Sequence, residues 1–165
     1  MSDPRQRFPG VSEEEWGDWR WQQRHMLRTR SDLEQVVELT PDERRGLEAT
    51  SGRLRIGATP YYAALMDPRH PGCPVRMQVI PVAAEADAAA GDRRDPLGED
   101  AHRPVRAVVH KYPDRVLFLA AERCATYCRH CTRRRITGGE EGAFDRASAE
   151  EGIAYLAGRP EVREV

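Results

Sequence analysis

The apolar positions of this chain fall into short helical repeats in its first third, then into a looser middle, and then into one dense run. Ser12 precedes Glu13-Glu14-Glu15, a helix start in which acidic residues meet the positive end of the helix dipole. Trp16, Trp19, Met26 and Leu27 then recur at near-helical spacing. Ser31-Asp32-Leu33-Glu34 has the form of a capping box, and Thr40-Pro41-Asp42-Glu43 repeats it with proline at the first helical position. A further short helix is expected after Thr59, at Pro60-Tyr61-Tyr62. Trp16, Trp19 and Trp21 are expected to pack between these helices, because aromatic rings bury the most area per residue.

From Asp67 to Arg106 six prolines (68, 71, 74, 81, 96 and 104) break any long element. Pro74–Ile80 is too short to assign, and Gly91–Asp100 reads as a polar loop, either a linker or a segment wrapped on a neighbouring surface. Arg115-Val116-Leu117-Phe118-Leu119-Ala120-Ala121 is nearly all apolar, and so predicts a strand buried on both faces of a parallel sheet. Ala147–Leu156 predicts a helix closed by Gly158-Arg159-Pro160, and Val162–Val165 the start of another strand. The fold class is therefore α/β. Residues 1–104 form a helical N-terminal region with wrapping loops, and residues 105–165 begin a second domain. One strand and one crossover helix cannot complete a parallel sheet, so the chain is expected to stop part-way through that domain.

Composition narrows the function. The 165 residues carry 32% charged side chains and a formal net charge of -1, so whole-chain electrostatics do not argue for a nucleic-acid or membrane partner, and none is expected. No stretch approaches the roughly 20 apolar residues of a membrane span. The N-terminus lacks the apolar core of a secretory signal, so a cytoplasmic location is expected.

Between the dense run and the last helix lies Cys124-Ala125-Thr126-Tyr127-Cys128-Arg129-His130-Cys131, followed by Arg133-Arg134-Arg135. Three clustered thiols in a reducing compartment read as a metal or redox site rather than as disulfides. Four cysteines are the usual ligand set of an electron-transfer iron–sulfur cluster. Three would leave one iron open to chemistry. Cys73 stands apart and is expected to be a free thiol. His25, His70, His102 and His110 show no metal-ligand spacing. The competing reading recruits Cys73 into a four-thiolate zinc site in a nucleic-acid module, since five arginines lie between Arg123 and Arg135. Against it, Cys73 is more than fifty residues from the other three, and the basic patch has no interleaved aromatic beyond Tyr127.

The spacing C-x3-C-x2-C is that of the radical S-adenosylmethionine (SAM) enzymes. Longer strings are more specific. Asp18-Trp19-Arg20-Trp21-Gln22, Thr59-Pro60-Tyr61-Tyr62, Asp67-Pro68, Pro74-Val75-Arg76, Tyr112-Pro113-Asp114-Arg115-Val116 and Cys128-Arg129-His130-Cys131-Thr132-Arg133-Arg134-Arg135 resemble the lysine 2,3-aminomutase family. The resemblance runs from about Trp16 to Val165 and matches the N-terminal part of a longer enzyme. It implies that residues 105–165 open a partial (βα) barrel, and that Cys124, Cys128 and Cys131 ligate a [4Fe-4S] cluster whose fourth iron binds SAM. It implies an isomerase that shifts the amino group of L-lysine from α to β with pyridoxal 5′-phosphate (PLP).

Arg133 aligns with the arginine that pairs with the substrate carboxylate. Tyr112 and Arg115 align with residues near PLP, and Lys111 stands where arginine is common, keeping the charge without the planar fork. Tyr127 and His130 fall where the motif meets SAM. Arg134 and Arg135 read equally as solvated or compensating the cluster's charge, or as direct ligands.

The family's PLP-binding lysine, its acidic residues for the substrate ammonium, its glycine-rich SAM motif and its zinc-binding cysteines have no counterpart in these 165 residues, so the chain alone is expected to be inactive. The resemblance also implies a small amino-acid substrate, a reductant protein such as flavodoxin or ferredoxin, and a homo-oligomer at full length. Glutamate 2,3-aminomutases and the enzyme that isomerises lysine for an elongation factor share this core and are the nearest alternatives. A chain serving only as an assembly partner is a further one.

Overall fold

The computed structural model describes residues 3–87, 91–137 and 144–165. They divide into two compact units, one comprising Met1–Ala90 with Cys124–Cys131, the other Gly91–Arg123 with Thr132–Val165. Among the described residues the secondary structure is helices and one small two-stranded sheet.

The first unit is built from short helices, each fixed by its own start signal: α1 (Glu13–Gly17), α2 (Trp19–Arg24), α3 (Arg30–Leu33), α4 (Pro41–Ala49), α5 (Pro60–Ala64) and α6 (Pro74–Met77). Ser12 caps α1 as expected and also closes a box with Glu15, the Thr40–Glu43 box forms as expected, and Thr59 caps α5. The box expected at Ser31 sits two residues earlier. Thr29 is the cap of α3, and one oxygen of Asp32 takes the backbone N–H groups of both Arg28 and Thr29 at 2.9 Å. That double acceptance is open to Asp32 from Thr29 but not from Ser31, which lies inside the turn.

Helices this short do not hold alone. They are held by a shared core in which Leu33, Ala58, Ala63, Met66, Val79 and Ile80 are buried. Of the three tryptophans, Trp21 is buried, and Trp16 lies among Phe8, Trp21 and Tyr61 at ring distances of 5.6, 6.4 and 6.0 Å. Trp19 departs from the expectation: it is 60% exposed, with the Arg20 guanidinium over its ring.

The second unit carries β1 (Val108–Tyr112), β2 (Arg115–Phe118) and α7 (Arg146–Ala157). β1 and β2 are an antiparallel hairpin turned by Pro113-Asp114, with Val109 opposite Leu117 and an irregularity before the Tyr112–Arg115 pair. This corrects the expected strand, which ends at Phe118 and is not buried on both faces: Arg115 is exposed, Val116 buried, and Leu117 and Phe118 half-buried. An apolar run fixes neither the length of a strand nor its partner.

Asp145 caps α7 through the Ser148 N–H. Gly152 lets the helix approach the hairpin, since a Cβ there would lie 2.6 Å from the Phe118 ring and 3.2 Å from the Ala107 Cβ. The chain after α7 returns alongside β2. Val116 N–H donates to Glu164 O at 3.0 Å, Arg163 N–H donates to Asp114 O at 2.7 Å, and Arg115 and Glu164 form a parallel bridge. Where Val162–Val165 was expected to begin a strand there is this isolated bridge, and no strand follows α7 among the described residues.

Candidate functional site

The cysteine loop is pinned to the helical unit almost residue by residue. The Gln23 side-chain amide donates to Cys124 O at 3.0 Å, and Thr59 N–H to Ala125 O at 2.9 Å. The Gly57 carbonyl accepts from both the Thr126 hydroxyl, at 3.0 Å, and the Tyr127 N–H, at 2.8 Å. Gly57 must be glycine for this approach: a Cβ would fall 2.6 Å from the Tyr127 ring and 2.8 Å from the Met26 sulfur. Arg129 secures the second half of the loop. Its N–H donates to Gln78 O at 2.8 Å, and its Nη1 donates to Met77 O at 2.7 Å and to Ile80 O at 3.2 Å, which occupies carbonyls left open at the end of α6. It also pairs with Glu85. A loop held by backbone acceptors of packed helices is a rigid mount for side chains.

On this mount Cys124 is exposed and Cys128 and Cys131 are half-buried, all three as free thiols. Burial pushes the Cys128 thiol above its ordinary pKa, and the neighbouring charges of Cys124 and Cys131 push the same way, so the three sulfurs share one neighbourhood. The Tyr62 phenol is raised by its burial and by the Cys128 and Cys124 charges, and its hydroxyl donates to the side-chain carbonyl of Gln78. Among the described residues no three His, Cys, Asp or Glu side chains are already closed into a metal-ligand set. The donor types nonetheless suit an iron–sulfur cluster: three soft thiols stand on one fixed loop, and the buried Arg129 Nε is an N–H donor without an acceptor among the described residues. Cys73 does not join them. Its sulfur accepts the Asp67 N–H at 3.3 Å; burial raises its pKa, but N–H groups of Asp67, Arg76 and Val75 outweigh that and leave it lowered.

In the second unit, Lys111, Tyr112, Arg115 and Arg133 line a single cavity of about 360 Å³, with Leu97, Glu99 and Val109. Lys111 Nζ donates to Leu97 O at 2.6 Å. The Arg115 guanidinium lies 5.7 Å from the centre of the Tyr112 ring and pairs with Asp114. Arg133 donates Nε and Nη2 to the two oxygens of Glu99. Three cations facing two carboxylates (Glu99 and Glu164) suit an anionic ligand such as a phosphate or a carboxylate. Arg135 is buried and pairs with Asp95 and Asp100, whereas Arg134 is exposed. Tyr127 belongs to the first unit, against Gly57, where it lines a separate 690 Å³ cavity with Arg28 and Arg55. His130 is exposed.

The sequence reading did not single out Glu99, Arg129, Gly57 or Gln78. Tyr62 lay inside a quoted string without a role. The turn dipeptide Pro113-Asp114 between two short runs with apolar residues was the available signal for the hairpin.

No family model matches the chain. Among curated proteins it is 44% identical over 158 residues to the L-lysine 2,3-aminomutase of Acetoanaerobium sticklandii, covering 96% of this chain and 38% of the relative. With the L-lysine 2,3-aminomutase of Bacillus subtilis it shares 46% identity over 154 residues, or 93% of this chain and 33% of the relative. Over this span the sequence is lysine 2,3-aminomutase family sequence. The chain spans about a third of the length of the curated relatives it matches. The glutamate 2,3-aminomutase of Clostridioides difficile is 31% identical over 154 residues, below the two lysine enzymes just named. No helix among the described residues is long and apolar enough to cross a membrane.

Proposed function

We propose that this chain carries the cluster loop and the substrate-carboxylate clamp of a radical SAM, PLP-dependent aminomutase, an isomerase that interconverts L-lysine and β-lysine. The carrying observation is the 44–46% identity to aminomutases named for L-lysine, joined to three free thiols on a loop fixed at every second or third residue. In this reading residues 105–165 begin the partial barrel, and the parallel contact between β2 and Glu164 supports it.

Each residue then has a task. Cys124, Cys128 and Cys131 would hold the iron–sulfur cluster that takes SAM. Arg129 and Gly57 hold the loop in register. Tyr127 and His130 flank the SAM side. Lys111, Tyr112 and Arg115 supply positive charge and a ring at the PLP end, and the planar fork of Arg133 takes the substrate carboxylate. Cluster, SAM and PLP, when bound, supply the radical and the π-system for amino migration; the protein supplies position and exclusion of water. A cytoplasmic enzyme, reduced by a small flavodoxin or ferredoxin and assembled from identical subunits, completes the proposal.

Anaerobic reconstitution with iron and sulfide tests it. The expected result is a brown, oxygen-sensitive chromophore whose spectrum changes on adding SAM. A colourless protein that takes zinc instead would overturn it. Full-length enzyme supplied with L-lysine or L-glutamate then decides the substrate, with β-lysine the expected product.

A further inference from the structure

Glu99 is a buried carboxylate, 6% exposed, in the wall of the cavity that Lys111, Arg115 and Arg133 also line. A buried charge is costly unless it is paired and hydrogen-bonded. Here it is paired with Arg133, which keeps about a third of its side chain exposed.

The atoms used are informative. Glu99 occupies Nε and Nη2, the side edge of the guanidinium. A guanidinium has a second edge, made by Nη1 and the remaining N–H of Nη2, which is also spaced for a carboxylate. Among the described residues nothing else pairs with Nη1 of Arg133.

We propose that Glu99 is the positioning residue of the clamp: it grips the side edge of Arg133 and leaves the end edge oriented for the substrate carboxylate. This rests on the reading of Arg133 given above. Without Glu99 a half-exposed arginine regains several rotamers, and ordering it again weakens binding. The pair is also neutral. The incoming carboxylate is therefore drawn chiefly by Lys111, whose partner is the neutral Leu97 carbonyl, since Arg115 is itself paired with Asp114 and Glu164. Arg133 supplies direction more than charge. The segment carrying Glu99 has other anchors, through Arg135 to Asp95 and Asp100 and through Lys111 to Leu97 O, so removing the carboxylate need not free the segment.

The test uses the full-length enzyme loaded with its cofactors. Glu99→Gln should raise KM for L-lysine about tenfold, the loss of one charge-assisted hydrogen bond, with kcat within about twofold and PLP content and melting temperature unchanged. Glu99→Asp should recover part of the loss. An unchanged or lower KM in Glu99→Gln overturns the proposal, as does a parallel loss of PLP and of melting temperature, which would mark a structural role. Arg133→Ala separates the layers. If it raises KM and Glu99→Gln does not, only the role of Glu99 falls; if it leaves KM unchanged, the clamp itself is misassigned.

Discussion

Arg76 donates Nε to one oxygen of the Glu43 carboxylate at 2.8 Å and Nη2 to the other at 2.7 Å, and the arginine is wholly buried. The rest of the guanidinium is also spent: Nη2 on Glu38 O at 2.7 Å, and Nη1 on Asp67 O at 3.2 Å and Pro68 O at 3.1 Å. One side chain thus ties the start of α4 to the chain on both sides of α5. Its neighbours Val79 and Ile80, and the α6 carbonyls that receive Arg129, depend on the same anchor.

Breaking that pair should be expensive. Arg76→Met leaves Glu43 buried without a cation and is expected to cost about 3–5 kcal/mol. Arg76→Met with Glu43→Leu should recover much of the loss, because the uncompensated charge goes with its partner. Urea unfolding of the three variants measures this; a cost below about 1 kcal/mol for the single change would contradict it.

The same pair sets an acid limit. Burial raises the Glu43 carboxyl, but bonds from Arg76 and Thr40 outweigh it, so its folded pKa lies below the ordinary 4.5. A depressed carboxyl contributes stability that is complete above its unfolded pKa and is lost as pH falls through the folded one. The urea midpoint should therefore hold from neutrality to about pH 5 and fall steeply below the ordinary 4.5. In Glu43→Gln the slope in that window should be shallower, on a less stable protein. An equal slope would show that other carboxyls dominate.

Gly57→Ala is a small change with a defined clash, since the added methyl meets the Tyr127 ring and the Met26 sulfur. A cost of about 1–3 kcal/mol is expected from overpacking. The cysteine loop should shift with it, so iron per chain after reconstitution should fall more than the melting temperature alone explains.

Arg129→Lys keeps the charge and loses the planar set of donors that spans Met77 O and Ile80 O. Iron content should drop several-fold with a small change in melting temperature, and Arg129→Ala should do no better. Cys73→Ser should keep full iron loading, whereas Ser at 124, 128 or 131 should abolish it. Iron and sulfide analysis after anaerobic desalting reads all six variants.

How far the sequence could be read depends on the span of each contact. Capping signals close over three residues, so Ser12, Thr40 and Thr59 were legible, and the one slip, Ser31 for Thr29, is a choice between overlapping local patterns. The cysteine triplet is local as well. The pairs that position the candidate site are not: Arg76 meets Glu43 across 33 residues, and Arg133 meets Glu99 across 34. Nothing in the polar loop around Glu99 distinguishes a buried carboxylate from a solvated one. The hairpin was missed for a related reason, since the apolar run of β2 carries no mark of which segment pairs with it.

The double acceptance at the Gly57 carbonyl has a kinetic consequence. Its bond to Thr126 joins residues 69 apart, and Gln23 reaches Cys124 across 101. Contacts of such sequence separation form late, after local turns have closed and the core has gathered. The helices of the first unit should therefore be in place before the cysteines are ordered, and cluster insertion becomes a final step of maturation, performed on a loop whose docking surface is already built.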